Sequence, residues 1–389
     1  MRRYLPLALA AAVSPFCARA AAQDVLLQAR RIVVAPDAVL DDGRVLLRQG
    51  KVAYVGTEVP AEARARARRV DYGPAFVVPG FVLAQTTLGH DADLAERALP
   101  FTPDLRAAEA ADPWQEDLLE LPRHGVTALA LAPASGNVAG GIAALVKSGR
   151  ERAVVGDDLY LTLSLARNAR QAERPPTSLM GAVDLLRSAF DGVRTGIGQG
   201  PDAAVLRQAM QGTRGVFVYA DNFAELNAAL DLGRDFGLRL VLVGAAHAEK
   251  VLPRLVQQQA AVVLGTLRPE LRRAELELPA RLAVAGVPFC FGGDPELLRQ
   301  SAALAVQYGL DRRSALQALT RVPAALLDRD GTLGALRQGH AADFVVFTGD
   351  PLDLSSAHVA TWVDGVLVAG SEPGAAPVAE PPAAAAGVR

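Results

Sequence analysis

The sequence predicts an α/β protein, a (β/α)8 TIM-like barrel with a small composite β-sandwich domain beside it. Over residues 75–331, apolar segments suited to buried strands alternate with amphipathic helical segments, as in parallel β/α units. Short β-like segments precede and follow this region, at 24–74 and 332–370, where they can pair with one another. The 389 residues are 51% apolar, which is enough to form a large core.

Residues 1–22 have the pattern of a secretory signal peptide. Two arginines precede an apolar run over 5–16, and the small residues that follow resemble a cleavage site. The run is too short for a permanent transmembrane helix, although an N-terminal anchor is the alternative interpretation. We therefore expect a periplasmic or secreted protein. Its mature form would lose Cys17 and keep Cys290 as a single thiol, buried in an apolar strand.

The strands follow from local patterns taken in chain order. Alternating residues between turn signals predict strands in the N-terminal segment at 31–34, 43–47 and 51–56. Nearly continuous apolar runs, expected where both faces of a strand are buried, predict barrel strands at 76–84, 126–132, 159–165, 215–220, 238–243, 260–265 and 287–291. An eighth strand near 142–146 would close the barrel. After Gly331, β segments are predicted at 343–347 and 361–368, the second with a turn at Asp364-Gly365. An Ala/Pro-rich disordered tail is predicted over 371–389.

Helices are predicted between the later barrel strands. Phe223, Leu226 and Leu230 recur at helical spacing, and Gly237 suits the end of that helix. Similar spacing predicts helices at 251–255 and 297–306.

The charge balance excludes a dedicated nucleic-acid-binding protein. There are 40 Lys and Arg residues against 42 Asp and Glu residues, a formal net charge of −2, whereas such proteins carry an evident basic footprint. The arginine-rich segment 61–69 has no interleaved aromatic residues, so we interpret it as a solvated connection.

Three stretches of the sequence carry a resemblance to a known family. The first is V-V-P-G-F-V-L-A-Q-T-T-L-G over 77–89, the second G-V-T-A followed by P-A-S-G-N-V-A-G-G within 125–141, and the third runs from G-G-D to A-D-F-V-V over 292–346. They are similar to motifs of the amidohydrolase superfamily, in its imidazolonepropionase- and prolidase-like branch. The resemblance covers residues 25–370 and implies a (β/α)8 barrel with a composite β domain. It also implies hydrolysis of a non-peptide carbon–nitrogen bond or a dipeptide-like amide.

The resemblance implies a metal site whose ligands have been replaced in this chain. Family members hold zinc or another divalent metal with an H-x-H pair and further histidines, some with a carboxylated lysine, and use a last-strand aspartate as a base. Here the four histidine positions correspond to Gln85, Thr87, Tyr219 and Gly244, and the segment that could carry the lysine has none. Amides and hydroxyls are weak zinc ligands. Only Asp294 keeps its family identity, as the implied catalytic residue, and we expect no bound cofactor.

These replacements favour a catalytically degenerate, metal-free protein that retains a pocket for an unknown small molecule or for assembly. Two alternatives remain open: an active hydrolase that uses Asp294 with atypical pocket groups, and an inactive partner subunit of an intact paralogue. The oligomeric state is also open, and a homo-oligomer is one possibility. His90 and His247 each follow a predicted barrel strand closely in the sequence, so either could line the pocket. An ordinary loop or helix-start histidine is the alternative interpretation of each. Asp294 itself could simply cap the helix that begins at Pro295.

Overall fold

A computed structural model describes residues 23–88, 90, 93–150 and 153–373. The predicted signal peptide and most of the predicted tail lie outside these residues. Within the described ranges, no helix combines the length and apolar character needed to cross a bilayer.

The strands are numbered in chain order. They are β1 (Val25–Ala35), β2 (Ala38–Arg48), β3 (Lys51–Gly56), β4 (Arg68–Asp71), β5 (Phe76–Pro79), β6 (Phe81–Thr86), β7 (Val126–Leu131), β8 (Ala139–Ile142), β9 (Ala144–Lys147), β10 (Val154–Gly156), β11 (Leu161–Ser164), β12 (Val216–Ala220), β13 (Leu240–Gly244), β14 (Ala261–Leu264), β15 (Phe289–Phe291), β16 (Phe344–Phe347), β17 (His358–Val363) and β18 (Val366–Gly370).

The helices fill most of the connections between barrel strands. They are α1 (Ala61–Arg66), α2 (Glu116–Glu120), α3 (Leu179–Arg194), α4 (Pro201–Met210), α5 (Phe223–Phe236), α6 (Leu252–Gln258), α7 (Arg273–Leu276), α8 (Leu278–Val284), α9 (Leu298–Gln307), α10 (Arg312–Leu319) and α11 (Arg321–Leu326). Helix α5 ends as its sequence predicts, because Gly237 adopts a left-handed conformation as the C-cap.

One sheet contains strands from both ends of the chain. Its order is β18-β17-β16-β5-β1-β2-β3, and β4 also pairs with β1. Strand β16 runs antiparallel to β5, with Phe344 opposite Pro79, so this pair joins the two segments. Trp362 stacks on Phe344 and donates a hydrogen bond from Nε1 to the hydroxyl of Tyr72 at 2.9 Å. Buried contacts between distant segments therefore stabilise this sheet.

The barrel strands form two further sheets, one containing β6 and β7 and the other containing β11 to β15. Within each set the strands run parallel. Between β7 and β11, the chain passes through β8 and β9, which follow each other almost without interruption. Strand β9 pairs with β7, and β8 pairs with β11, so together they connect the two sheets. Across the other seam, no ladder joins β6 to β15 within the described residues, and α11 packs against both strands.

The direction of β8 and β9 departs from the parallel β/α pattern that the sequence predicts. A strand does occupy the expected region near 142–146, but it is antiparallel to both neighbours. Its cause is the short connection 132–138, since a parallel crossover requires about a dozen residues or more and usually a helix. The chain therefore turns at the C-terminal end of β7 and runs straight back down the barrel.

Small and apolar side chains fill the barrel interior. Tyr160 stacks on Phe217 and donates a hydrogen bond to the carbonyl of Ala84 at 2.8 Å. Helix α11 closes the N-terminal end of the barrel with Ala324. Cys290 also lies in this core without exposed surface, and burial raises the pKa of its thiol, so the reactive thiolate form is disfavoured.

A buried ion cluster joins the barrel to the small domain. Lys147, at the end of β9, contacts the carboxylate of Asp343 and lies 3.3 Å from Oδ1 of Asp364. The backbone N–H of Asp364 donates to Oδ1 of Asp343 at 2.8 Å. The side chains of Lys147 and Asp343 are only 6% and 5% exposed. Burial raises the pKa of Asp343, while the ammonium group of Lys147 acts in the opposite direction.

Candidate functional site

The predicted pocket residues come from the C-terminal ends of the barrel strands. Gln85 on β6 donates a hydrogen bond from Nε2 to Oη of Tyr219 on β12, at 2.5 Å. The hydroxyl of Tyr219 donates in turn to the carbonyl of Pro133, at 3.2 Å. Strand β6 is irregular here, since its register against β7 shifts between Leu83 and Thr86, and such bulges redirect side chains near functional sites. Two of the four replaced positions thus bond to each other across the barrel.

Gly244, the third replaced position, has a neighbouring carboxylate in the space that its side chain would take. It ends β13 with φ of +89°, a conformation that favours glycine. A Cβ atom built there would lie 2.2 Å from Oδ1 of Asp221, which follows β12 on the neighbouring strand. The carboxylate of Asp221 therefore occupies the space that a metal ligand at position 244 would need.

The environment of Asp221 raises the pKa of its carboxyl group above the usual value. Desolvation raises its pKa, the nearby charge of Glu225 raises it further, and His247 acts in the opposite direction. Sequence reasoning missed this residue as part of the site, although it lies only two positions after Tyr219.

A rigid turn positions Asp221. Asn222 caps α5 by accepting a hydrogen bond at Oδ1 from the N–H of Glu225, at 3.1 Å. Oε2 of Glu225 accepts from the backbone N–H groups of Asp221 and Asn222, at 3.0 and 3.4 Å. The other oxygen of Glu225 pairs with Nη2 of Arg170 at 2.5 Å, and the carboxylate is buried. The D-N-x-x-E spacing is the capping-box signal that could have identified this turn from the sequence.

Asp294 and Thr87, the remaining candidates, line one cleft of about 510 Å³ between the ends of β6 and β15. Further acidic side chains line the same cleft, among them Glu116, Asp117 and Glu120. Gln85, Tyr219 and Gly244 are not among the described residues that line this cleft. The predicted site residues therefore do not line a single common cleft.

The carboxylate of Asp294 has structural partners on both oxygens. Oδ1 accepts a hydrogen bond from the backbone N–H of Glu296 at 3.1 Å, and Oδ2 lies 3.5 Å from Nη2 of Arg268. Its own N–H donates to Oγ1 of Thr266 at 2.7 Å. The capping interpretation therefore has direct structural support. The side chain is 37% exposed, so it still faces the cleft.

The two histidines near the mouth contact neighbouring groups. His90 is buried, with Nδ1 2.8 Å from the carbonyl of Leu88, while Nε2 accepts a hydrogen bond from the backbone N–H of Asp112 at 3.2 Å. Because Nε2 accepts, the proton belongs on Nδ1, and the ring ties two loops together. Nε2 of His247 lies 3.2 Å from Nη2 of Arg272 on the barrel rim.

The residues present do not fit the metal that the resemblance implies. Across the described ranges, no group of three or more His, Cys, Asp or Glu side chains is arranged to hold a metal ion. A catalytic zinc site needs about three such protein ligands and an open position for water. Gln85 and Tyr219 are bonded to each other, and Gly244 has no side chain, so the inherited positions cannot supply these ligands.

Comparisons with known proteins agree with this architecture. Residues 263–369 match a family model described as "Amidohydrolase family". The chain is 24% identical to Amidohydrolase tasK from Hapsidospora irregularis in an alignment that covers 83% of the chain and 39% of that protein. It therefore spans about two fifths of the length of this curated relative.

Solved structures extend the likeness over most of the chain. An amidohydrolase from Thermotoga maritima MSB8 has a TM-score of 0.81 at 24% identity, covering 89% of this chain and all of that one. A prolidase complexed with N-methylphosphonate-L-proline has a TM-score of 0.58 at 16% identity, covering 90% of this chain and all of that one. At these identities the structural likeness establishes the fold, and the predicted TIM-like fold class is confirmed.

Proposed function

We propose that this chain is a member of the amidohydrolase superfamily, and that it is a catalytically degenerate one without a bound metal. Its barrel mouth would serve to bind a small molecule or to assemble with another chain. The observation that carries the proposal is the closed position at Gly244, where Asp221 takes the space of a ligand side chain. The inherited activity class is hydrolysis of carbon–nitrogen bonds, and the proposed loss concerns its metal-dependent form.

Asp294 alone is a weak basis for hydrolysis. A bound zinc ion lowers the pKa of water from 15.7 to about 7, which is what allows one carboxylate to act as an effective base. Each pKa unit corresponds to about 1.4 kcal/mol, so a general base is not expected to offset the difference. The carboxylate of Asp294 is also shared with Glu296 and Arg268.

Elemental analysis of protein purified without chelators tests this proposal. We expect substoichiometric zinc, manganese and nickel, and no chelator-sensitive amidase or dipeptidase activity. Asp294→Asn should lower the free energy of unfolding by about 1 kcal/mol or less, the usual range for a cap. Asp311→Asn is the control for losing a capping carboxylate, because Asp311 caps α10 by accepting from the backbone N–H of Ser314, away from the cleft. Near-equimolar metal, with activity lost both in chelator and in Asp294→Asn, would restore the active hydrolase.

Assembly with an intact paralogue is the alternative that the lost ligands also support. In such a complex this chain would contribute structure while its partner supplies the chemistry. Size-exclusion chromatography of the mature protein, alone and mixed with a paralogue that keeps the H-x-H pair, distinguishes a homo-oligomer, a mixed complex and a monomer. A monomer in both samples would contradict assembly and leave ligand binding as the function.

We also propose that the protein is exported to the periplasm or secreted. The support is the arginine pair and apolar run within residues 1–22, which lie outside the described part of the chain. Mass spectrometry of protein from a native-like host should find a product cleaved close to residue 20 in the soluble fraction. An intact N-terminus recovered with membranes would contradict cleavage and favour an anchor.

A further inference from the structure

A second cavity lies at the N-terminal end of the barrel, opposite the mouth. Its volume is about 400 Å³, within the range of small-molecule sites. One wall is formed by the beginnings of neighbouring strands, with Val241 on β13 and Ala261 on β14. The other wall is formed by α11, with Val322, Ala325 and Leu326. The cavity is therefore lined mainly by apolar groups contributed by two separate parts of the fold.

The cavity has one unpaired positive charge on its rim. Arg239 is neutralised by Asp328, since Nη1 and Nη2 lie 2.6 and 2.7 Å from its two carboxylate oxygens. Arg321, the first residue of α11, is exposed and has no side-chain ion pair or hydrogen bond in the described part of the chain. The described residues that line the cavity include Gln259 and Gln317 but no carboxylate. The site thus combines an apolar interior with a guanidinium group available to an anion.

We propose that this cavity binds a small monocarboxylate with an apolar body. The carboxylate would pair with Arg321, whose planar guanidinium suits two parallel hydrogen bonds, and the apolar part would lie between Ala261 and Leu326. Chemistry in TIM barrels belongs to the opposite, C-terminal face. This site is therefore separate from the mouth and independent of the proposed function there.

Binding is expected to stabilise the folded protein. The ligand would contact both α11 and the strands that α11 covers, and a ligand that binds only the folded state raises its stability by mass action. A rise in melting temperature that grows with ligand concentration is the expected signature, and it requires no enzymatic activity.

Octanoate is a suitable probe, measured by calorimetry and by thermal shift on the full mature chain. We expect octan-1-ol to bind at least about tenfold more weakly, because its neutral hydroxyl brings no negative charge to Arg321 and no second oxygen for a bidentate contact. Octylamine should bind more weakly still, since its charge repels the guanidinium. Arg321→Gln should weaken octanoate binding at least about tenfold while leaving octan-1-ol unchanged. Arg64→Gln, which alters an exposed arginine on α1, is the matched control and should leave all three ligands unaffected.

A second variant tests the location independently of charge. Ala325→Trp places an indole in the cavity from an exposed helix position and should abolish binding of both octanoate and octan-1-ol. Equal affinity of the native protein for octanoate and octan-1-ol would overturn the carboxylate assignment. Octanoate binding that survives in Ala325→Trp, or is unchanged in Arg321→Gln, would overturn the site itself.

Discussion

Lys147→Met should lower the free energy of unfolding by about 3–5 kcal/mol, the range for removing one partner from a buried ion pair. The substitution keeps most of the side-chain volume but leaves Asp343 charged and buried without its cation. Asp364 loses the same partner. Because this cluster lies where the barrel meets the small domain, urea unfolding monitored by circular dichroism should detect the loss directly.

The loss caused by Lys147→Met should depend on pH. Burial already raises the pKa of Asp343, and removing the ammonium group raises it further. A carboxyl group whose pKa is raised on folding favours the folded state at low pH, and this contribution disappears as the pH rises through that pKa. The difference between the variant and the native protein should therefore be smaller at about pH 4.5 than at about pH 7.5.

Lys51→Met provides the control for losing a lysine. Lys51 is exposed and has no side-chain ion pair in the described residues, so its replacement should change stability by less than about 0.5 kcal/mol. Similar losses in the two variants, or a loss in Lys147→Met that does not vary with pH, would show that the cluster does not stabilise the junction.

The sequence was sufficient to locate most barrel strands, but not every strand boundary or direction. The strand predicted at 76–84 is in fact two, with β5 in the sheet of the small domain and β6 in the barrel. Continuous apolar runs mark strands buried on both faces, and β11 to β15 lie where those runs predict them. The strand near 142–146 was also expected, but its direction depends on the length of the connection before it. Residues 132–138 are too few for a crossover helix, a constraint that local periodicity does not express.

The sequence alone predicts that the metal ligands are lost at the candidate site. It does not predict which contacts the substituted residues make instead. The motifs alone identify the residues at the four histidine positions, which are Gln85, Thr87, Tyr219 and Gly244. The bond between Gln85 and Tyr219 depends on how β6 and β12 face each other across the barrel. The contact between Asp221 and Gly244 likewise requires two neighbouring strand ends and a backbone at positive φ, which a single sequence does not reveal.

Gly244→Ala should lower the free energy of unfolding by about 1.5–3.5 kcal/mol, the sum of two costs. A side chain at φ of +89° is strained, which costs about 1–2 kcal/mol. Its Cβ would also displace the carboxylate of Asp221, and holding a side chain away from its preferred rotamer costs about 0.5–1.5 kcal/mol. Denaturant unfolding at neutral pH measures the total.

Two further variants separate these costs. Gly212→Ala carries the backbone cost alone, because Gly212 has φ of +71° and a Cβ there meets no atom within 4 Å. Adding Asp221→Ala to Gly244→Ala should remove the collision. The free energy of unfolding should then differ between the double variant and Asp221→Ala by about the amount that Gly212→Ala alone loses. Equal losses in Gly244→Ala and Gly212→Ala would instead mean that Asp221 moves aside at little cost. A ligand side chain could then fit at position 244, and the metal-free proposal would lose its main support.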